Sequence, residues 1–355
     1  MSDAPSPIPS RVGSLIQSGR AAAPGLLAAF TVAAAAQFLA EHYGGPGMLF
    51  ALLLGIAFHF LHEEGPARAG IEVAAKHVLR WGVALLGLRI GLDAVAGLGL
   101  WPILTLAAAV VATILIGLVL ARLLRLDLRF GVLTGGAVAI CGASAALALS
   151  ALLPKTPDGE RHTLFAVIGV TSLSTIAMVL YPLITAALGL SPTETGLFLG
   201  ATIHDVAQVV GAGYSVSMEA GDVATLTKLM RVAMLLPVAV AVGLVVRVVW
   251  TARQNGLDDD EETRTPALLP MFLVVFAGLF ALNSAGFVPA KVSDAATEVS
   301  RLFLLAAIAA IGMKTSLKAL FAMGARPIAL IVGETVFLAA LVAIALIYGE
   351  LLMPH

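Results

Sequence analysis

Eleven apolar segments, most of them joined by short polar loops, fill nearly the whole chain from Pro24 to Met353. A helix rises about 1.5 Å per residue, so about 20 apolar residues cross the hydrocarbon of a bilayer, and fewer suffice where a helix is interrupted. In order they are Pro24–Leu39, Gly47–Leu61, Trp81–Leu92, Leu100–Leu120, Phe130–Leu153, His162–Leu188, Thr193–Val216, Leu226–Trp250, Leu268–Phe287, Leu302–Leu320 and Pro327–Met353. A bilayer admits only segments that satisfy their own backbone hydrogen bonds, so the fold class is an all-α polytopic membrane protein of about 11 transmembrane helices. Composition agrees: 59% of residues are hydrophobic and only 12% charged, about half the charge of an ordinary soluble domain. Residues 1–23 form a polar leader, read as a cytoplasmic N-terminal tail, and 24–355 a single transmembrane domain. The leader is long and more spans follow, which favours an uncleaved first helix over a signal peptide.

Several function classes fall away. A net charge of −1 gives no basic surface for nucleic acid. The single cysteine, Cys141, excludes an intramolecular disulfide and argues against a cysteine metal site. No GxxxxGK[ST], GxSxG or HExxH motif occurs, so the chain is read as a non-enzymatic protein without cofactor or metal that does not itself use ATP. Counting Lys and Arg on alternate sides of eleven spans puts 14 of the 21 on the N-terminal side. The other side takes six, Lys155, Arg161, Lys228, Arg231, Lys291 and Arg301, with Arg89 left near a helix end. The asymmetry favours a cytoplasmic N-terminus and an outward C-terminus. The acidic cluster Asp258–Glu262 reads as a solvated turn.

Residues 87–103 align without gaps onto 312–328, with Gly87/Gly312, Leu92/Leu317, Ala94/Ala319, Gly99/Gly324, Pro102/Pro327 and Ile103/Ile328 identical and Arg89/Lys314 keeping their charge. The matched helices are seven spans apart, so they run in opposite directions, as in the inverted-topology repeats of secondary transporters. Coincidence between two Gly/Leu/Ala-rich helices is the competing explanation.

Against this apolar background, polar groups mark the functional candidates, because an ionised carboxylate at mid-bilayer costs roughly 2.5–3.5 kcal/mol on insertion scales. In Gly200–Gly213, GATIHDVAQVVGAG, an intact helix would set His204, Gln208 and Gly211 on one face with Asp205 beside them. In the fifth segment, Gly135-Gly136 and Ile140-Cys-Gly-Ala-Ser-Ala145 concentrate small residues. These suit either close helix packing or a break, and a break would aim a half-helix N-terminus at an anion. Cys141, Gly142, Ala143, Ser144, Thr202, His204 and Gln208 are the candidate substrate-binding residues. His204, Asp205 and Glu334 are the candidate proton carriers, and Arg89 and Lys314 either balance the charge of an anion or snorkel to the interface. Thr171, Ser172, Ser174 and Thr175 either line the same cavity or bond back to their own helix. Asn283 reads as a cap or turn residue.

ICGASAALAL at 140–149 and GATIHDVAQVVGAG at 200–213 resemble the two signature stretches of the bacterial sulfate-exporter family, the YeiH type of conserved hypothetical membrane protein. LLLGIAFHF at 52–60, WGVALLGLRIGL at 81–92 and AAIGMKTSL at 309–317 fit as well, so the resemblance covers nearly the whole chain. It implies sulfate or another small sulfur-containing anion as substrate. More loosely, the repeat and Gly-rich breaks are similar to the bile-acid symporter and sodium–proton antiporter fold, whose broken helices cross. Segments five and seven run the same way in an eleven-span count, and that conflicts with an inverted crossing pair.

The resulting expectation is a secondary transporter of a small anion, working by alternating access in the lipid bilayer and coupled to a proton or sodium ion. Its site lies between Ile140–Ala145 and His204–Gln208. The rivals are a sodium/proton-type cation antiporter using Asp205 and Glu334, an intramembrane enzyme, and a channel or sensor. Small-xxx-small spacing is plentiful and leaves room for a homodimer without fixing the oligomeric state.

Overall fold

The computed structural model describes residues 11–43, 46–63, 65–90, 100–154, 158–250, 271–315 and 324–352. Asp258–Glu262, the first ten residues of the tail, and the stretches 91–99 and 316–323 of the aligned repeat lie outside the described residues. The described residues form helices and turns, with no strand. The first helices are α1 (Arg11–Tyr43), α2 (Gly47–Ala57), α3 (Phe60–Glu63), α4 (Arg68–Val73) and α5 (Leu79–Leu85). Then come α6 (Leu100–Leu123), α7 (Leu128–Ala139), α8 (Ala143–Ser150), α9 (Gly159–Ala187), α10 (Pro192–Thr202) and α11 (Val206–Val216). The last are α12 (Met218–Ala233), α13 (Leu235–Trp250), α14 (Met271–Ser284), α15 (Ala290–Lys314) and α16 (Ala325–Leu352). Six helical stretches among the described residues are long and apolar enough to cross a membrane. Leu104, Val111, Leu115 and Val119 stand exposed along one face of α6, an apolar stripe suited to lipid.

The chain divides into two compact units. The first comprises Met1–Gly82 and Arg301–Thr315. Within it α2 and the end of α15 come together at Gly55 and Gly312, where an added Cβ on either would collide with the opposite backbone. His59 closes the same contact, with Nδ1 2.6 Å from the Met313 carbonyl oxygen. Lys314, at the end of α15, is exposed.

The second unit comprises Val83–Ser300 and Ser316–His355 and contains both Gly-rich stretches singled out in the sequence. Segment five is two helices. Asp127 caps α7 through Arg129 N (2.9 Å), and the helix ends at Ala139. After the turn Ile140–Gly142, α8 folds back along it, so that Leu149 packs against Gly136. The start of α7 and the end of α8 meet again around a cavity of about 870 Å³, lined among others by Arg129, Phe130, Ser150, Leu153 and Pro154. The start of α9 shares that cavity through Gly159 and His162, whose ring lies 4.8 Å from that of Phe130.

Segment seven repeats the device. The Ser191-Pro-Thr-Glu194 sequence supplies a capping box and a proline in the first turn, and starts α10 after the end of α9. The helix stops at Thr202, turns through Ile203–Asp205 and returns as α11. Both arms lie on α12: Gly196 and Gly213 each approach Ala220, and the Thr193 hydroxyl at the base of α10 bonds Glu219 at the start of α12. Thr193–Val216 was expected as one crossing and Phe130–Leu153 as another; each instead enters, turns at its middle and goes back. That removes the direction conflict, because neither segment runs through. The hairpins start from opposite ends of α9, which is 29 residues or about 43 Å long.

Candidate functional site

The two hairpin tips meet. A Cβ placed on Gly142 would lie 3.6 Å from both the Cβ and the carbonyl oxygen of His204. Midway along α9, Ser174 Oγ accepts from Asp205 N (3.0 Å) and Thr175 Oγ1 accepts from Gln208 Nε2 (2.7 Å). Thr171 hydrogen-bonds back to Val167 O (2.7 Å). Of the four hydroxyls in question, then, Ser174 and Thr175 reach the junction, and Thr171 serves its own helix.

A helix that stops in the interior leaves its last carbonyls without intrahelical partners. Here two cations supply them. Lys228 Nζ donates to Ile140 O (2.7 Å) and Ile203 O (2.9 Å). Arg231 donates through Nε to Ala139 O (2.8 Å), through Nη2 to Val138 O (2.7 Å), and through Nη1 to Gly200 O (3.1 Å) and Ile203 O (3.2 Å). Each cation therefore bridges both tips. Both are fully buried, and among the described residues neither makes an ion pair. The C-terminal ends of α7 and α10 carry roughly half a negative charge each, and together with the Asp205 carboxylate in the second tip they offset the two buried cations.

This corrects the counting of Lys228 and Arg231 on the outer side of the membrane. The expected span began at Leu226, whereas α12 starts at Met218, where Ser217 Oγ accepts from Ala220 N (3.0 Å). Lys228 and Arg231 thus lie about 15–20 Å along the helix. A readable signal was present: a Ser N-cap followed by Glu219, then cations three residues apart amid apolar neighbours.

The other halves of the broken helices begin at the same junction. Gly142, at φ +64°, closes the first tip, and its α8 has no side-chain cap. Ser144, in the first turn of α8, is exposed, and Cys141 is buried. Asp205 caps α11, its Oδ1 accepting from Ala207 N (2.8 Å). The expected polar face on one intact helix is not formed: His204 sits on the turn and Gln208 in the first turn of α11, pointing at α9. Thr202 uses its hydroxyl on Phe198 O (2.6 Å).

Helix α16 completes the enclosure. Thr335 Oγ1 is 3.0 Å from His204 Nε2, and the neighbouring Glu334 Oε1 is 2.8 Å from Thr134 Oγ1 on α7. His204 and Glu334 are fully buried. His204 Nδ1, Gln208 Oε1, Thr227 Oγ1 and Glu334 Oε2 are buried without a hydrogen-bond partner, and all belong to the hairpins or the helices packed on them. Buried polar atoms are normally satisfied, so these four are the places in this region open to a further hydrogen-bond partner. No group of three or more His, Cys, Asp or Glu among the described residues is placed to hold a metal ion. Arg89 lies away from the tips, donating to both oxygens of Asp222 (2.9 and 3.0 Å), which also accepts from the Tyr214 hydroxyl (2.6 Å).

The family described as conserved hypothetical protein 698 matches residues 24–331. The chain belongs to that family. It is 54% identical over 325 residues to a UPF0324 membrane protein of Rhizobium meliloti, covering 92% of each chain. It is 53% identical over 340 residues to the UPF0324 membrane protein TauZ of Paracoccus denitrificans, covering 96% of this chain and 97% of the relative. A UPF0324 membrane protein of Chlorobaculum tepidum is 52% identical over 320 residues, covering 90% and 87%. No solved structure matches. The family's members are membrane proteins, as the helices of this chain require, and the matched region includes both hairpins, α12 and Glu334's neighbours up to Ile331.

Proposed function

We propose that this protein is a secondary transporter for a small anion, which binds where the two hairpin tips meet and is released to either side by alternating access. The observation that carries this reading is the junction itself. Two half-helix N-termini and two buried cations bonded to backbone carbonyls converge at the midpoint of α9, in an arrangement that stabilises negative charge. Backbone interrupted at membrane depth is tolerated only where protein buries it or where it lines a cavity, and transporters use such breaks as substrate sites. Sulfate or another small sulfur-containing anion is the substrate class, from the likeness of the signature stretches to the sulfate-exporter family.

A hairpin followed by a long helix occurs twice, α7–α8 with α9 and α10–α11 with α12–α13, entering from opposite ends of α9. This supports an inverted organisation. So do Gly87 and Gly312, matched in the sequence alignment, since each sits where a Cβ would strike a neighbouring helix backbone, at Phe276 O and Leu52 O respectively. Orientation gains as well. With segment five folded back, Arg161 falls on the N-terminal side, and Lys228 and Arg231 count as interior charges and no longer as outer-side ones. Among the described residues Arg89, Lys291 and Arg301 then remain opposite, which favours a cytoplasmic N-terminus in the bacterial inner membrane.

The test is flux in proteoliposomes of purified protein against sulfate, sulfite, thiosulfate and short-chain sulfonates, with sodium-gradient and pH-gradient arms. Uptake of one of these anions above empty liposomes, lost in Asp205→Asn and His204→Ala variants that remain folded in the membrane, is the expected result. Wild-type flux in both variants would remove the junction from the mechanism. A response to sodium without any anion would favour the cation antiporter.

A further inference from the structure

We propose that Glu334 is the protein's proton-binding site, and that α16 uses it to report proton loading to both hairpins. The inference deepens the transport reading and rests on it for its role, but not for its chemistry. Glu334 is the tenth residue of α16, fully buried, beside Gly117 of α6 and facing Thr134 of α7. Its next neighbour, Thr335, touches His204 in the tip of the second hairpin. Two consecutive residues therefore clasp the two hairpins, Glu334 the first and Thr335 the second.

Counting protons decides which form of Glu334 fits. Thr134 has one hydroxyl proton and two good acceptors, Phe130 O at 2.9 Å and Glu334 Oε1 at 2.8 Å. An ionised Glu334 would take that one proton and leave Oε2 bare in a buried site, where a charge held by a single neutral hydrogen bond is heavily penalised. A neutral Glu334 makes a continuous chain: its carboxyl O–H donates to Thr134 Oγ1, and Thr134 donates to Phe130 O. The bare Oε2 is then an uncharged carbonyl oxygen, which is far cheaper to leave without a partner.

The surroundings support a site that binds a proton rather than a metal or sodium ion. Helix α16 packs against α6, α7, α9 and α10. Their titratable and charged side chains are Arg122 on α6, Arg129 on α7, Glu160, Arg161, His162 and Tyr181 on α9, and Glu194 on α10. All but Tyr181 lie in a first or last turn, whereas Glu334 meets its partners at mid-helix. Beyond them come His204 and Asp205 in the second tip, with His204 linked through Thr335, and Lys228 and Arg231, which are engaged by carbonyls. The carboxyl's hydrogen-bond partner is a hydroxyl that itself donates to a backbone carbonyl, an arrangement that a single proton completes.

When the proton leaves to water, the carboxylate can no longer donate to Thr134 and is driven from the dry contact. That frees the first hairpin from α16 and disturbs Thr335 against His204. Proton loading thus sets whether the two tips are held against one helix, which is a two-state element of the kind that coupling requires.

Infrared difference spectroscopy of the purified full chain reads this directly. The wild type at neutral pH is expected to show the carbonyl stretch of a protonated buried carboxyl, shifted by deuterium and lost on alkalinisation. Glu334→Gln should remove it and Asp205→Asn should not. The glutamine is isosteric and can still donate to Thr134, so the variant should stay folded; Thr134→Val, which removes the acceptor, should move the band if Glu334→Gln is poorly produced. Absence of the band from the wild type, or its persistence in Glu334→Gln, overturns the proposal. In proteoliposomes loaded with sulfate, Glu334→Gln should lose pH-gradient-driven uptake by about tenfold or more while sulfate–sulfate exchange changes by less than about threefold. Equal loss of both, with the band removed as expected, would overturn the coupling role. A band that behaves as expected in a protein that moves none of the anions would instead refute the transport reading and leave the proton site standing.

Discussion

The two hairpins have one architecture and opposite chemistry. The first closes on Ile140-Cys141-Gly142, with a positive-φ glycine, no side-chain cap and an apolar surround of Val110, Ala145, Val232 and Leu235. The second closes on Ile203-His204-Asp205, with an aspartate cap, a histidine bonded to Thr335, and Ser174 and Thr175 engaging the returning arm. The first tip is made possible by what is missing from its side chains, and the second is built by what its side chains bond. Three hydrogen-bonding links from two other helices, α9 and α16, hold the second tip. The first is held at its tip by carbonyl contacts to Lys228 and Arg231 and, lower down, by Thr134. The second tip is thus tied by side-chain hydrogen bonds, and the first hairpin by close backbone packing of Gly131 and Gly135 against α6.

What the two tips share is the largest test. Arg231 donates to four carbonyls, Val138 and Ala139 of the first hairpin and Gly200 and Ile203 of the second. Removing a buried charge from such a set strands its partners, so Arg231→Met should lower unfolding stability in detergent by about 3–5 kcal/mol, and Lys228→Met by less because it serves two carbonyls. The two effects should be strongly non-additive, since Ile203 O is common to both. Additive losses, or losses below about 1 kcal/mol, would mean that the tips hold together without their cations.

The difference between the tips is tested next. Asp205→Asn keeps an oxygen that can cap α11, so stability should fall by well under about 1 kcal/mol while anion flux falls by about a hundredfold. Gly142→Ala should behave the other way round. A Cβ there meets only ordinary contacts at 3.6 Å, so the cost is backbone strain at φ +64°, about 1–2 kcal/mol in thermal unfolding. Flux should be affected less than in Asp205→Asn. A Gly142→Ala protein that is fully stable yet inactive would shift recognition to the first tip and reverse the comparison.

How much of this could be read from the sequence differs in the same way. Helix content followed from hydropathy, and both breaks fell inside stretches picked out in advance, one by its small residues and one by intramembrane polarity. Whether a broken segment goes through or turns back was not readable, because hydropathy records depth and not direction. The turn-back depends on contacts such as Gly136 with Leu149 and Gly213 with Ala220, between residues whose local sequence is equally good for a straight helix. Lys228 and Arg231 escaped for a related reason. A charge beside an apolar run is ordinarily an interface charge, and only the start of α12 at Met218, set by Ser217, puts these two at depth. Arg89 shows the reverse case, a helix-end cation whose carboxylate partner, Asp222, is 133 residues away and invisible to any local reading.

Thr202 gives the smallest effect and the finest discrimination. It was expected to bind the anion together with His204 and Gln208, and it does stand one residue before the second turn, nearly fully buried. Its hydroxyl, however, donates to Phe198 O within α10 at 2.6 Å, the back-bonding that Thr adopts when a helix offers it no better acceptor. Such a bond adds little, because Phe198 O is also within reach of its own helix's N–H. Valine is likewise branched at Cβ and nearly the same shape. Thr202→Val should therefore change stability by no more than about 0.5 kcal/mol and leave sulfate flux within about twofold of the wild type. Gln208→Leu, one turn beyond the tip, removes the donor to Thr175 and the unpartnered Oε1, and should reduce flux far more. If Thr202→Val collapses flux while Gln208→Leu does not, the ligand faces the carbonyl end of α10 and not the start of α11, and the site must be redrawn on the cation side of the junction.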